Sequence, residues 1–229
     1  LGNEKLVEYS TVAGERALSN YAYEDAQSHF QSALASKEGQ PMDDQTATIY
    51  HGLGQAQAGT LPRSELQAAV DSLRMAFDYY SQTTEPSRAI QVALFPFPRV
   101  HGLTGLSDLF MQASKLARPN SSEAGFMLAQ YGLFAGFETG EYEPSETAFS
   151  RALEIARLNK DTGLEMQILM RSGLVDVTHL KPQADQKLIR AFEFSKQSTQ
   201  STNLQVQAAA AEGIALYSRK IGNPDNAQN

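Results

Sequence analysis

Four histidines are the first side chains to test for chemistry: His29, His51, His101 and His179. A zinc site needs ligands that converge, often two His one helical turn apart, and none of the four has such a neighbour in sequence. His29 sits beside Phe30 in a packing helix and reads as a partly buried structural residue. There is no cysteine, so thiol nucleophiles, thiolate metal sites and disulfides are excluded. No G-x-S-x-G elbow and no G-x-x-x-x-G-K phosphate loop is present. Glu141 and Glu143 flank Tyr142 and could act as a carboxylate pair. The plainer reading is an acidic turn at a helix N-terminus, where negative charge is favourable. Asn120-Ser121-Ser122 matches a glycosylation acceptor but reads better as a helix cap, with Glu123 helping. These residues supply no catalytic set, no metal ligands and no cofactor motif, and they point away from an enzyme.

The elements that carry them are helical. The chain has 229 residues, 41% hydrophobic and 20% charged, enough to build a core. Its 19 basic residues are scattered among 26 acidic ones, for a net charge of -7, so nucleic-acid binding through this segment is not expected. No apolar run reaches the roughly 18 residues that a membrane helix needs. The absence of cysteine fits a reducing compartment, and a cytoplasmic location is expected. The start "LGNEKLVEY" lacks an initiator Met and a signal-peptide pattern, so the chain reads as a piece of a longer protein.

A three-residue signature recurs: a small residue, a bulky one four later, and Ala three after that. The copies are Ala26/Phe30/Ala33, Ala69/Leu73/Ala76, Ser145/Phe149/Ala152 and Ala184/Leu188/Ala191, with a weaker third one, Leu106/Phe110/Ala113, that opens on a large residue, and Ala227 would open a sixth. This spacing puts all three residues on one helix face, where the small ones admit a neighbouring helix. Turn signals precede several copies, as in "NYAYED" and "TGEYEP", and a further helical stretch lies ahead of each turn. The expected fold is all-α: helical hairpins over 3–36, 44–81, 86–118, 121–158 and 162–198, with the first helix of a sixth over 203–221, in a single repeat domain spanning 1–229.

This pattern resembles the tetratricopeptide repeat (TPR) family. The match is closest in "VAGERALSNYAYEDAQSHFQSALA", where Gly14, Tyr23, Ala26, Phe30 and Ala33 fall at the motif's small and aromatic positions. The resemblance implies a TPR-like α-α superhelix, or solenoid. The copies recur every 43, 37, 39, 39 and 43 residues, longer than the family's 34, which implies longer helices or loops. Two stretches, "YHGLGQAQAGTLPRSELQAAVDSLRMAFDYY" and the region from Ser121 to Gly173, also resemble the TPR region of large bacterial LuxR-type and cyclase-linked P-loop ATPase regulators. In that family the repeat array senses an inducer or a protein. The implied role is therefore protein–protein interaction or ligand sensing within a signalling or transcription regulator. A free-standing TPR adaptor that scaffolds a complex, and an all-helical enzyme or carrier, stand as alternatives.

A solenoid binds along the first helices of its hairpins. In the fourth hairpin Met127, Gln130, Tyr131, Phe134 and Phe137 recur at three- and four-residue steps, and Met166, Leu169 and Met170 take the corresponding face of the fifth. They form either an apolar groove for a protein, peptide or small-molecule inducer, or ordinary inter-helix core. Some TPR arrays use cationic first-helix residues to hold the acidic tails of heat-shock chaperones. Here those places carry Glu8, Thr11 and Glu15, then Thr48, His51 and Gln55, which form no such clamp. One further stretch, "FPFPRVHG", interrupts the third hairpin. Pro96 and Pro98 must stop the preceding helix. Phe95 and Phe97 then either plug a gap or, with Arg99 and His101, rim the groove.

Overall fold

The structure is a computed structural model that describes residues 2–83, 86–97, 102–197 and 202–222. Those residues form eleven α-helices, with one short 3-10 turn, one π turn and no strand. They divide into two compact units, Leu1–Ala117 and Arg118–Asn229.

The first unit contains α1 (Asn3–Ser19), α2 (Tyr23–Ala35), α3 (Asp44–Thr60), α4 (Gln67–Ser81), α5 (Ser87–Ala93) and α6 (Leu106–Leu116). Each helix packs on the next, and α1 also touches α3 as α4 touches α6. The second unit contains α7 (Ser122–Phe134), the π turn Ala135–Thr139, α8 (Tyr142–Leu158), α9 (Thr162–Thr178), α10 (Ala184–Gln197) and α11 (Thr202–Gly222). There α7 touches α9 and α9 touches α11, in addition to the consecutive pairs.

All fifteen residues of the recurring signature are buried, from Ala26 at 0% to Leu73 at 3% exposed. They lie on α2, α4, α6, α8 and α10. Four of the five partner helices, α1, α3, α7 and α9, meet them with glycine. A Cβ on Gly14 would sit 2.8 Å from the Phe30 ring, and one on Gly173 would sit 2.7 Å from Leu188. Gly54 and Gly132 face Leu73 and Phe149 in the same way, so the four glycines mark one shared register. The physical cause is close helix approach: the bulky ring or branched chain occupies the space that a side chain would need.

Side-chain capping fixes where three of the first helices begin. Asp43 accepts from Thr46 N–H at the start of α3, Ser121 from Ala124 N–H at α7 and Asp161 from Leu164 N–H at α9. Left-handed residues end several of them: Tyr21 after α1, Gly140 after the π turn and Leu180 after α9. From Gly14 to Tyr21 and from Gly173 to Leu180 is seven residues, whereas Gly132 to Gly140 is eight. The π turn takes up the additional residue. No helix among the described residues is long and apolar enough to cross a membrane.

Candidate functional site

The apolar stripe lies mostly inside the protein. Met127 is fully buried, and Gln130, Phe134, Met166, Leu169 and Met170 are buried as well, while Tyr131 and Phe137 are half-buried. The shared register gives the reason. Counted from Gly132, the residues Met127, Gln130 and Phe134 take the places that Ile49, Gly52 and Ala56 take relative to Gly54. On α3 those places pack against Ala26, Phe30 and Ala33 of α2. Met166, Leu169 and Met170 share a core cluster with Ala191 of α10 and with Val206 and Ala209 of α11. An open groove at these six positions is therefore not present; they are packing surface. Gln130 keeps one buried oxygen without a hydrogen-bond partner.

The proline-interrupted stretch is partly visible. α5 ends at Ala93, Phe97 is buried and Phe95 is half-buried. Their rings meet edge to face at 6.2 Å, and Phe97 N–H donates to Phe95 O at 2.8 Å. Arg99 and His101 lie outside the described residues, as do Pro98 and Ala227. His29 is exposed rather than partly buried. It follows Ala26 by three positions but sits about 100° round the helix from Phe30, which leaves it on the outward face.

The structure gathers polar groups in two places. In the second unit, Tyr142 of α8 becomes the centre of a network that links α8, α9 and α10. Tyr142 OH donates to Asp176 Oδ1 at 2.8 Å and accepts from Gln183 Nε2 at 2.8 Å. Lys187 Nζ donates to Ser172 Oγ at 2.7 Å and to Glu146 Oε2 at 2.9 Å. It also lies 2.9 Å from Asp176 Oδ2, off the line of a well-formed hydrogen bond. Asp176 is fully buried. Burial pushes its carboxyl above the usual range, against the pull of Lys187. Burial and the neighbouring Asp176 push the Tyr142 phenol well up. The His179 ring packs tilted, 5.3 Å from the Tyr142 ring, and its Nε2 lies 3.1 Å from Gly136 O in the π turn. Facing a carbonyl, His179 Nε2 carries the proton. Glu141 and Glu143, on either side of Tyr142, are exposed.

A Ser–Lys contact invites comparison with a nucleophile and its base. Here Ser172 is 1% exposed, and the ammonium of Lys187 is turned toward three acceptors. Those acceptors belong to α8 and α9, so the contacts of Lys187 tie α10 to both helices. The geometry describes a latch between helices.

In the first unit the polar group is open to solvent. Thr48, His51 and Gln55 are half-buried along one face of α3. Arg88 reaches this face from α5, a cation that the sequence alone does not place there. Its guanidinium lies 4.1 Å from the centre of the Tyr80 ring and pairs with Asp44. It also donates to Thr48 Oγ1 at 2.9 Å and to Tyr80 OH at 2.6 Å. His51 Nε2 lies 2.9 Å from the Gln55 amide, whose N–H donates to it. Burial, with the nearby Arg88 charge adding to it, lowers the His51 pKa to about 4, so the imidazole is neutral at pH 7. A stacked arginine with side-chain exposure of 38%, beside a neutral imidazole and a threonine, can hydrogen-bond an incoming polar group without first being ordered.

No protein-family model matches the chain, and comparison with curated proteins finds no match.

Proposed function

We propose that the chain is a binding module: a stacked array of TPR-like hairpins that recognises a protein or peptide, or a small-molecule inducer. The observation that carries this reading is the half-buried polar row Thr48–His51–Gln55 on α3, joined by the stacked guanidinium of Arg88. First-helix faces are the surfaces that hairpin arrays offer to ligands. Each helix packs on the next within its unit, and α1 on α3, α4 on α6, α7 on α9 and α9 on α11, which supports a reading as stacked hairpins. The residue resemblance to LuxR-type and cyclase-linked regulators supports a place in the sensing part of a larger bacterial signalling protein.

The test is a thermal-shift screen of peptides and metabolites against the wild type, repeated with Gln55→Ala and Arg88→Ala. A ligand of this face raises the wild-type Tm, and each variant, compared with its own ligand-free Tm, shows a smaller rise. Equal rises in all three proteins would remove this face as the site.

A further inference from the structure

At the turn between α1 and α2 lies a cleft of about 370 Å³, lined by Tyr21, Tyr23, Glu24, Asp25, Gly59 and Thr60. No cationic side chain lines it. Tyr21 holds a left-handed backbone, φ +60°, and is 78% exposed. Tyr23 lies against α3 because position 59 is glycine; a Cβ there would sit 2.7 Å from the ring. The two rings meet edge to face, 6.3 Å apart at 76°, so the pair offers a π face and a ring edge together. Glu24 and Asp25, both exposed, add two carboxylates at the rim.

A π face attracts a cation electrostatically, and two carboxylates outweigh the roughly half positive charge of the α2 N-terminus and add to that attraction. The chain as a whole carries a net charge of -7, which favours the approach of a basic partner. We propose that this cleft takes the arginine or lysine side chain of a basic peptide segment in a partner protein. The inference rests on the binding-module reading and extends it along α3. Gly59 follows Thr48, His51 and Gln55 at steps of three, four and four, on the same helix face. From Thr48 to Gly59 the helix rises about 16 Å, roughly five residues of extended peptide. One bound strand would then reach Arg88 with one residue and lay its basic side chain on the exposed Tyr21 ring about five residues away.

The test uses the whole chain and an end-blocked Gly-Gly-Arg-Gly-Gly peptide, followed by tyrosine fluorescence and isothermal titration at low salt. Tyr21→Asn keeps a residue that tolerates the left-handed turn and removes the ring. It should weaken binding about fivefold. Glu24→Gln/Asp25→Asn keeps the shape and removes the charge, and should weaken binding about tenfold. Glu4→Gln/Glu8→Gln removes equal charge elsewhere on the first unit and should bind this short probe like wild type. The inference fails if the wild type does not bind the probe, if the cleft variants bind as wild type does, or if Glu4→Gln/Glu8→Gln loses as much. Any of these results leaves the Arg88 face to its own screen, so the two readings fail separately.

Discussion

Removing the ammonium of Lys187 tests whether the Tyr142–Asp176–Lys187–Glu146 network holds α8, α9 and α10 together. Lys187→Met keeps most of the side-chain volume and deletes the charge. Asp176 is then left fully buried with only Tyr142 OH as a hydrogen-bond donor. Breaking a buried ion pair from one side costs about 3–5 kcal/mol. Glu146 has side-chain exposure of 34% and regains water, so the cost falls at the low end, about 3 kcal/mol. The loss should also depend on pH. The folded-state pKa of Asp176 is already raised, so the folded protein binds more protons than the unfolded chain as pH rises through and above the ordinary carboxylate range. Stability therefore falls as pH rises across that window. Without Lys187 the pKa climbs further and the window widens. The assay is urea denaturation of wild type, Lys187→Met and Asp176→Asn/Lys187→Met at pH 5 and pH 8. The single variant should be penalised more at pH 8, and the double variant should recover much of that difference. A cost under about 1 kcal/mol with no pH dependence would refute the latch. It would also reopen Ser172 and Lys187 to another role.

Three further outcomes follow from the same structure. His51, with its pKa lowered to about 4 from 6.5, binds fewer protons folded than unfolded, so stability should drop as pH falls from about 6.5 to 4, by up to roughly 3 kcal/mol. His51→Gln should flatten that part of a pH–denaturation profile. Phe30 is fully buried between Gly14 and Gly52, so Phe30→Ala should cost about 3–5 kcal/mol in chemical denaturation. Leu180 is 52% exposed in a left-handed conformation at φ +53°, and Leu180→Gly should raise stability by about 0.5–1 kcal/mol in the same assay.

The helices and their packing faces were legible from residue order. The small–bulky–Ala signature is a local property of one helix face, and all fifteen residues that carry it are buried. The cap of α7 was legible for the same reason: at the Asn120-Ser121-Ser122 stretch, Ser121 closes the start of α7 through a bond only three residues long. What each first helix does with its remaining faces was not legible. Met127 and Phe134 have the residue types of either groove or core, and only their neighbours in space make them core. The polar clusters were hidden because their members are distant in sequence. Tyr142 and Asp176 lie 34 residues apart, and Arg88 and Thr48 lie 40 apart. Hydrophobic periodicity acts within one helix and can be counted along the chain. The pairing of a tyrosine with a carboxylate, or of a guanidinium with a ring, depends on how one helix is set against another, and only the folded chain decides that.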